Sequence, residues 1–256
     1  MNTAIVVGVG PDRGVGAQLC RRFAGLGLKV LVAGRTRETL DGVVANIEAD
    51  GGAAEAVVTD ATDEGQVAAL FDAAGDDLVL AIYNAGNNAP GRIAEMRAEY
   101  FEQAWRVCCF GGFLVGREAV RRFLAREPAP APRSDGESRQ SRPVTRGTLL
   151  FTGASASLRG RSNFGAFNSA KGALRNLAQA MAKEYGPEGV HVGHVVIDGG
   201  IAGDKLMKRF PDYAESLDPG GLISLEGIVD AYEHLYRQPP TAWTFEVDLR
   251  TSVENW

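Results

Sequence analysis

A doubly wound α/β domain built on a parallel seven-stranded sheet is the fold class this sequence predicts, and two observations carry the prediction. Short apolar, β-branched runs alternate along the chain with longer stretches of helical period, the pattern of successive βαβ units. The first of those runs ends in a glycine-rich turn, Gly8-Val-Gly10-Pro-Asp-Arg-Gly14-Val-Gly16, and a helical stretch follows at once.

Strands are predicted at 4–9, 29–33, 53–58, 78–83, 148–152, 190–197 and 243–247. Each is short and lacks strict polar alternation, as expected where helices cover both faces of a sheet. Helices are predicted at 14–26, 37–49, 64–74, 94–125, 165–185 and 225–237. Gly27 and Gly186 mark helix ends, the second followed by Pro187. Sheets of this kind bind ligands beyond the carboxyl ends of their strands, so the site is expected there. With 256 residues and 45% hydrophobic composition, the whole of 1–256 reads as one domain around a well-buried core. One segment breaks the rhythm. Residues 127–146 are rich in Pro, Ser and Arg and nearly free of large apolar side chains, which reads as a flexible surface insertion. Arg133, Arg139, Arg142 and Arg146 leave open an alternative, a loop that binds an anionic partner.

The bulk numbers exclude several classes. A net charge of -5 with a pI near 5.4 gives no electrostatic footprint for nucleic acid. No stretch approaches the roughly 20 apolar residues of a membrane span. The N-terminus carries no basic leader, and a cytoplasmic protein is expected. The 3 cysteines have neither disulfide nor metal spacing, so a reducing compartment is expected and no metal.

At the glycine turn, missing side chains let the backbone approach a pyrophosphate, and the helix N-terminus faces the phosphates with free N–H groups. The end of the second strand reads Ala33-Gly34-Arg35-Thr36, with Arg13 in the loop. An acid there would accept from the ribose 2′-hydroxyl of NAD, whereas arginine suits the 2′-phosphate of NADP. NADP is therefore expected over NAD.

The spacing of Gly10, Gly14 and Gly16, Asp60 after the third strand, Asn84-Ala85-Gly86 after the fourth and Lys171 on the fifth helix together resemble the short-chain dehydrogenase/reductase family. The resemblance extends over nearly the whole chain. It implies a Rossmann-type fold, a nicotinamide cofactor and a small-molecule substrate. It implies further that Gly10 to Gly16, with Val15, cradle the pyrophosphate, that Asp60 and Ala61 meet the adenine, and that Asn84 to Gly86 line the ribose. Lys171 would hold the nicotinamide ribose, and Asp198 and Gly199 would lie beside the cofactor. Read alone, Asp60 is a helix cap and Asn84-Ala85-Gly86 a tight turn. The family also implies a homodimer or homotetramer formed through helix 165–185 and the one before it. Ala166, Ala170, Ala173, Leu174, Leu177, Ala178 and Met181 form a small apolar stripe on helix 165–185 that either a neighbouring subunit or its own sheet could cover.

The proton machinery departs from the family pattern. Its Tyr position holds Phe167, its Asn position Cys108, and its Ser position Ala154 with Ser155 next door; the usual Pro-Gly after the sixth strand is replaced by Ile197-Asp198-Gly199. Three functions are compatible with that set. One is an NADP-dependent oxidoreductase acting on a small carbonyl or alcohol without a Tyr. Another is a non-catalytic NADP-binding sensor or accessory subunit. A structural partner that has lost cofactor binding is opposed by Gly14, Gly16, Asp60 and Lys171. Other proton donors are sought among Ser155, Ser157, Arg159, Arg161, Asn163, Asp198 and Asp204. Arg159 and Arg161 read as solvated loop charges, His194 as a satisfied core histidine, and Cys108 and Cys109 as core packing.

Overall fold

A computed structural model describes residues 1–86, 88–127, 129–130, 144–209, 211–212 and 220–254. Seven strands form one parallel sheet: β1 Thr3–Val7, β2 Lys29–Gly34, β3 Ala53–Val58, β4 Leu78–Tyr83, β5 Gly147–Thr152, β6 Val190–Ile197 and β7 Glu246–Leu249. Their order is β7-β6-β5-β4-β1-β2-β3. The chain runs outward from β1 to β3 and returns to place β4 against the other side of β1. That reversal opens a crevice between the carboxyl ends of β1 and β4.

The helices are α1 Val15–Gly25, α2 Arg37–Ala49, α3 Glu64–Ala74, α4 Ala98–Trp105, α5 Gly111–Ala125, α6 Gly165–Tyr185, α7 Asp204–Arg209 and α8 Leu225–Arg237. Apolar side chains of α1, α2 and α8 pack on one face of the sheet, and those of α3, α5 and α6 on the other. Strand period sorts the core residues between the faces: in β1, Ala4 and Val6 join the first cluster, Ile5 and Val7 the second. Helices cover both faces, and β1, β2, β4, β5 and β6 are almost fully buried, which is why those strands show no polar alternation. In α6 the stripe residues Ala166, Ala170, Leu174, Ala178 and Met181 are buried within the chain itself.

Four expectations are corrected. β1 stops at Val7 because Gly8 turns the chain with φ +89°, and the N–H groups of Gly8 and Val9 both reach the Ala33 carbonyl at 3.0 Å. β7 begins at Glu246, not 243: Trp243 stacks on His191 with ring centroids 4.9 Å apart, and the Gln238 side chain holds Thr244, before pairing starts at Glu246 opposite His194. The stretch 94–125 is not one helix. A short turn at Ile93–Glu95 precedes α4, and a π-helical turn, Arg106–Phe110, joins α4 to α5. The Tyr83 hydroxyl donates to the Val107 carbonyl inside that turn, and a side chain at Gly111 would clash with it. Finally, α7 forms between the predicted strand 190–197 and the predicted helix 225–237, where no element is expected, and Gly200–Ile201 pairs with Leu222–Ile223.

Within the expected insertion, Ala129–Pro130 pairs antiparallel with Val144–Thr145. Arg133, Arg139 and Arg142 lie outside the described residues. Arg146 is no exposed anion ligand: its guanidinium donates to the carbonyls of Glu188 at 3.0 Å, Leu124 at 3.2 Å and Arg126, tying α5 to the start of β5. Among the described residues no helix is long and apolar enough to cross a membrane, no His/Cys/Asp/Glu cluster could hold a metal, and the cysteines are buried thiols.

Candidate active site

The glycine turn sits at the mouth of the crevice. A Cβ on Gly8 would lie 2.5 Å from the Ala85 backbone nitrogen, so this glycine lets the ends of β1 and β4 touch. One on Gly16 would lie 3.0 Å from the Gly8 carbonyl oxygen, so α1 can start close against the strand. Gly10 is different, for a Cβ there meets nothing within 4 Å. Its open face leaves room for a ligand to reach the backbone. Gly14 caps α1 in extended conformation, and the helix begins at Val15 with its first N–H groups directed at the turn.

Charge in this region favours an anion. Asp12 is the loop's acid, but its Oδ1 accepts from Arg21 at 2.7 Å and Asn46 at 2.9 Å, and its carbonyl from Gln18 at 2.9 Å. Arg13 and Arg35 are exposed. Asp60 is not the cap of α3, which is Asp63. Instead the Asp60 carboxylate accepts from the Thr62 N–H at 2.9 Å and its hydroxyl at 2.8 Å. The Thr62 N–H bond, aided by the Arg35 and Arg106 charges, holds Asp60 below the usual carboxylate range. Ala61 is buried next to it. An open glycine, a helix N-terminus and two exposed arginines together fit the phosphates of a dinucleotide.

Deeper in the crevice, the Asn84 backbone N–H donates to Val7 at 2.9 Å and its Nδ2 to Gly8 at 3.2 Å, while Oδ1 accepts from the Thr152 hydroxyl at 3.0 Å. Asn84 therefore fastens β4 to both its neighbours. Lys171 is 3% exposed, and its Nζ donates to the Thr152 carbonyl at 2.6 Å. The same ammonium stands 5.8 Å from the centroid of the Phe167 ring, within cation–π range. A Cβ on Gly86 would lie 3.6 Å from Lys171 Nζ and 3.9 Å from Cys108 Sγ. Residues 86, 108, 167 and 171 thus meet in space. Burial lowers the Lys171 pKa, Lys205 on α7 pushes it the same way, and Cys108 opposes them.

The surrounding segments revise two expectations. Arg159 is exposed as a loop charge is expected to be, but it is paired: its terminal nitrogen reaches both Asp198 oxygens, at 3.0 and 2.9 Å, and Arg250 stands 3.4 Å from the same carboxylate. Asp198 is 2% exposed, so its carboxylate serves to join the segments after β5, β6 and β7. Gly199 next to it packs on Ile223. His194 is buried with Nδ1 3.0 Å from Glu246, but its Nε2 has no hydrogen-bond partner, so it is only half satisfied. Burial outweighs the pull of Glu246 and brings its pKa down to about 4. Arg161 does remain exposed, over the Phe164 ring.

Ser155 is partly exposed in the turn after β5, where the Ser157 hydroxyl accepts from the Ala154 N–H at 3.1 Å. Asn163 holds the left-handed conformation at φ 66°, and its carbonyl accepts from Gly91, joining the loops after β4 and β5. Asp204 opens α7 by donating its N–H to the Arg13 carbonyl at 2.9 Å, which sets that helix on the glycine turn. Thr152, Tyr232, Glu246 and Arg250 escape sequence reading. Thr152 alone left a trace, as a polar residue closing an apolar strand.

A family model described as short chain dehydrogenase matches residues 2–213. A short-chain dehydrogenase from Rhodopseudomonas palustris, solved by crystallography, superposes with a TM-score of 0.76 at 35% identity, covering 97% of this chain and 98% of that one. Trihydroxynaphthalene reductase PfmaI of Pestalotiopsis fici is 25% identical over 234 residues, 90% of this chain and 73% of that protein. Gluconate 5-dehydrogenase of Gluconobacter oxydans is 25% identical over 186 residues, 72% of this chain and 66% of its own.

Proposed function

This chain belongs to the short-chain dehydrogenase family, and we propose that it is an NADP-dependent oxidoreductase acting on a small carbonyl or alcohol without a tyrosine acid. The carrying observation is the open face of Gly10 at the N-terminus of α1, flanked by exposed Arg13 and Arg35. Gly10, Gly14, Val15 and Gly16 would hold the pyrophosphate, Arg13 and Arg35 the 2′-phosphate, and Asp60 and Ala61 the adenine side. Asn84, Ala85, Gly86 and Lys171 would hold the nicotinamide ribose, with Asp198 and Gly199 contributing backbone. When bound, the nicotinamide supplies or accepts a hydride.

The chain's own part is positioning. Phe167 has no proton to give, and Lys171 lies beneath its ring, held by the Thr152 carbonyl. Losing a positioned general acid typically costs ~10² to 10⁴ in rate, about 3 to 5 kcal/mol of barrier. Proximity and orientation are a separate and comparably large contribution, so hydride transfer survives that loss. Ser155, partly exposed beside Ala154, would be the hydroxyl at the reacting oxygen.

The relatives act on unlike substrates by their names, a polycyclic phenol and a sugar acid, so substrate class is left to a panel. The second reading, a non-catalytic NADP-binding sensor or accessory subunit, is favoured by the joint presence of Phe167, Ala154 and Cys108. Fluorescence titration with NADPH and NADH tests what both readings share, and flat curves for both nucleotides sink them together. Stopped-flow hydride transfer over ketones, aldehydes and quinones separates them: turnover supports the oxidoreductase, binding without turnover the sensor. A homodimer or homotetramer in a reducing compartment is part of the proposal. Phe101, Trp105 and Phe113 stand exposed along α4 and α5, on the helix pair that precedes α6.

A further inference from the structure

Thr152, the last residue of β5, connects groups that are far apart in sequence. Its carbonyl accepts from Lys171 Nζ at 2.6 Å, while its hydroxyl lies 3.0 Å from Asn84 Oδ1 and 2.6 Å from the Tyr232 hydroxyl. Thr152 is buried, and Tyr232, on α8, is fully so. The two hydroxyl protons in this cluster can be assigned. Asn84 Nδ2 donates to the Gly8 carbonyl, which leaves Oδ1 facing Thr152. The reverse amide orientation would set two carbonyl oxygens against each other. Since an amide oxygen only accepts, the Thr152 hydroxyl proton is committed to Asn84, and the Tyr232 hydroxyl must donate to Thr152. The result is a single directed chain from Tyr232 through Thr152 and Asn84 to the Gly8 carbonyl.

That chain ends at the glycine turn. A Cβ on Gly16 would lie 3.2 Å from Asn84 Nδ2, so the amide is wedged under the first turn of α1. Gly8, at φ +89°, is the residue that bends β1 into the turn. Thr152 thus holds Lys171 by its backbone and Asn84 by its side chain, and these two are the groups assigned above to the nicotinamide ribose.

We infer that Thr152 and Tyr232 are positioning residues of the cofactor site, orienting Asn84 and Lys171 on the nicotinamide side before the nucleotide arrives. The inference rests on the cofactor reading given above. Neither residue needs to touch the nucleotide. In the protein interior such a chain is held by its ends, and removing a middle member leaves polar groups unpaired on both sides. Loss of the Thr152 hydroxyl strands Asn84 Oδ1 and the Tyr232 proton, whereas loss of the Tyr232 hydroxyl strands only an acceptor on Thr152. A graded effect follows.

The test titrates the full chain with NADPH and, separately, with 2′,5′-ADP, which carries only the adenine half of the cofactor. Thr152→Val is expected to raise the NADPH Kd about tenfold, Tyr232→Phe about threefold, and Thr152→Ser less than about twofold. The Kd for 2′,5′-ADP should stay within about twofold in all three, since the adenine half lies away from Asn84 and Lys171. Unchanged NADPH affinity in Thr152→Val, with only a lower Tm, would overturn the positioning role. So would equal weakening of NADPH and 2′,5′-ADP, which reports general loosening of the fold. If the unsubstituted chain binds neither NADPH nor NADH, the cofactor reading itself fails and takes this inference with it.

Discussion

Under the proposed function, Lys171 is a residue kept while its chemistry changes. In a site with a tyrosine, the ammonium acts on a phenol; here it faces the phenyl ring of Phe167 and donates to a backbone carbonyl. With Ala154 and Cys108 also in place, no single substitution restores a complete acid. We expect Phe167→Tyr combined with Ala154→Ser to raise ketone reduction by about 10²-fold, the low end of general-acid contributions, with NADPH affinity unchanged; equal rates for variant and parent in steady-state assays would contradict this. Lys171→Met removes the charge and should weaken NADPH binding by about tenfold, read by the same fluorescence titration, because a charge-assisted hydrogen bond is lost. Phe167, Cys108 and Lys171 could be aligned from sequence spacing alone. That Lys171 and Cys108 both come up against Gly86 could not, because it depends on where the π-helical turn sets residue 108 relative to α6.

That turn belongs to the element scale. A helical repeat running from 94 to 125 reads as continuous in sequence, since apolar periodicity does not register one extra residue in a turn. The Tyr83 hydroxyl supplies a donor for the Val107 carbonyl, and burial pushes the Tyr83 pKa well above its ordinary value, so it stays a donor throughout the accessible pH range. Tyr83→Phe should cost about 1 kcal/mol in urea unfolding, the net worth of one buried hydrogen bond. An unchanged midpoint would mean that Val107 finds another donor. The glycine turn is the opposite case, legible in sequence because only glycine tolerates its geometry. Gly8→Ala meets both a left-handed φ and a 2.5 Å approach to Ala85. Its expected cost is about 2 kcal/mol or more of stability, with cofactor binding lost alongside.

Across the whole molecule, the polar network around β6 and β7 makes stability depend on pH. His194 reaches Glu246, and Glu246 accepts from Arg175 of α6 at 2.5 and 2.8 Å. His194 has its pKa lowered to about 4 by burial, and Glu246 is lowered by the Arg175 bonds. Below pH 6.5 the unfolded chain takes up a proton on His194 that the native state refuses, so stability is full above that pH and falls as pH drops toward 4. The loss should be on the order of 3 kcal/mol across that window, with Glu246 adding to it at the lower end. Melting curves from pH 7 to pH 4 should show a falling Tm whose slope flattens in His194→Phe; the same slope in both proteins would assign the acid sensitivity elsewhere. The sequence by itself determined the βαβ alternation and the glycine turn, because periodicity and missing side chains are local properties of a chain. Only the tertiary structure decided that Arg159 neutralises Asp198, that Asp12 turns to Arg21 and Asn46, and that Thr152 joins Lys171, Asn84 and Tyr232. Each of those outcomes follows from the partner available to a polar group after burial, and the partners come from strands and helices that meet only when the sheet is assembled.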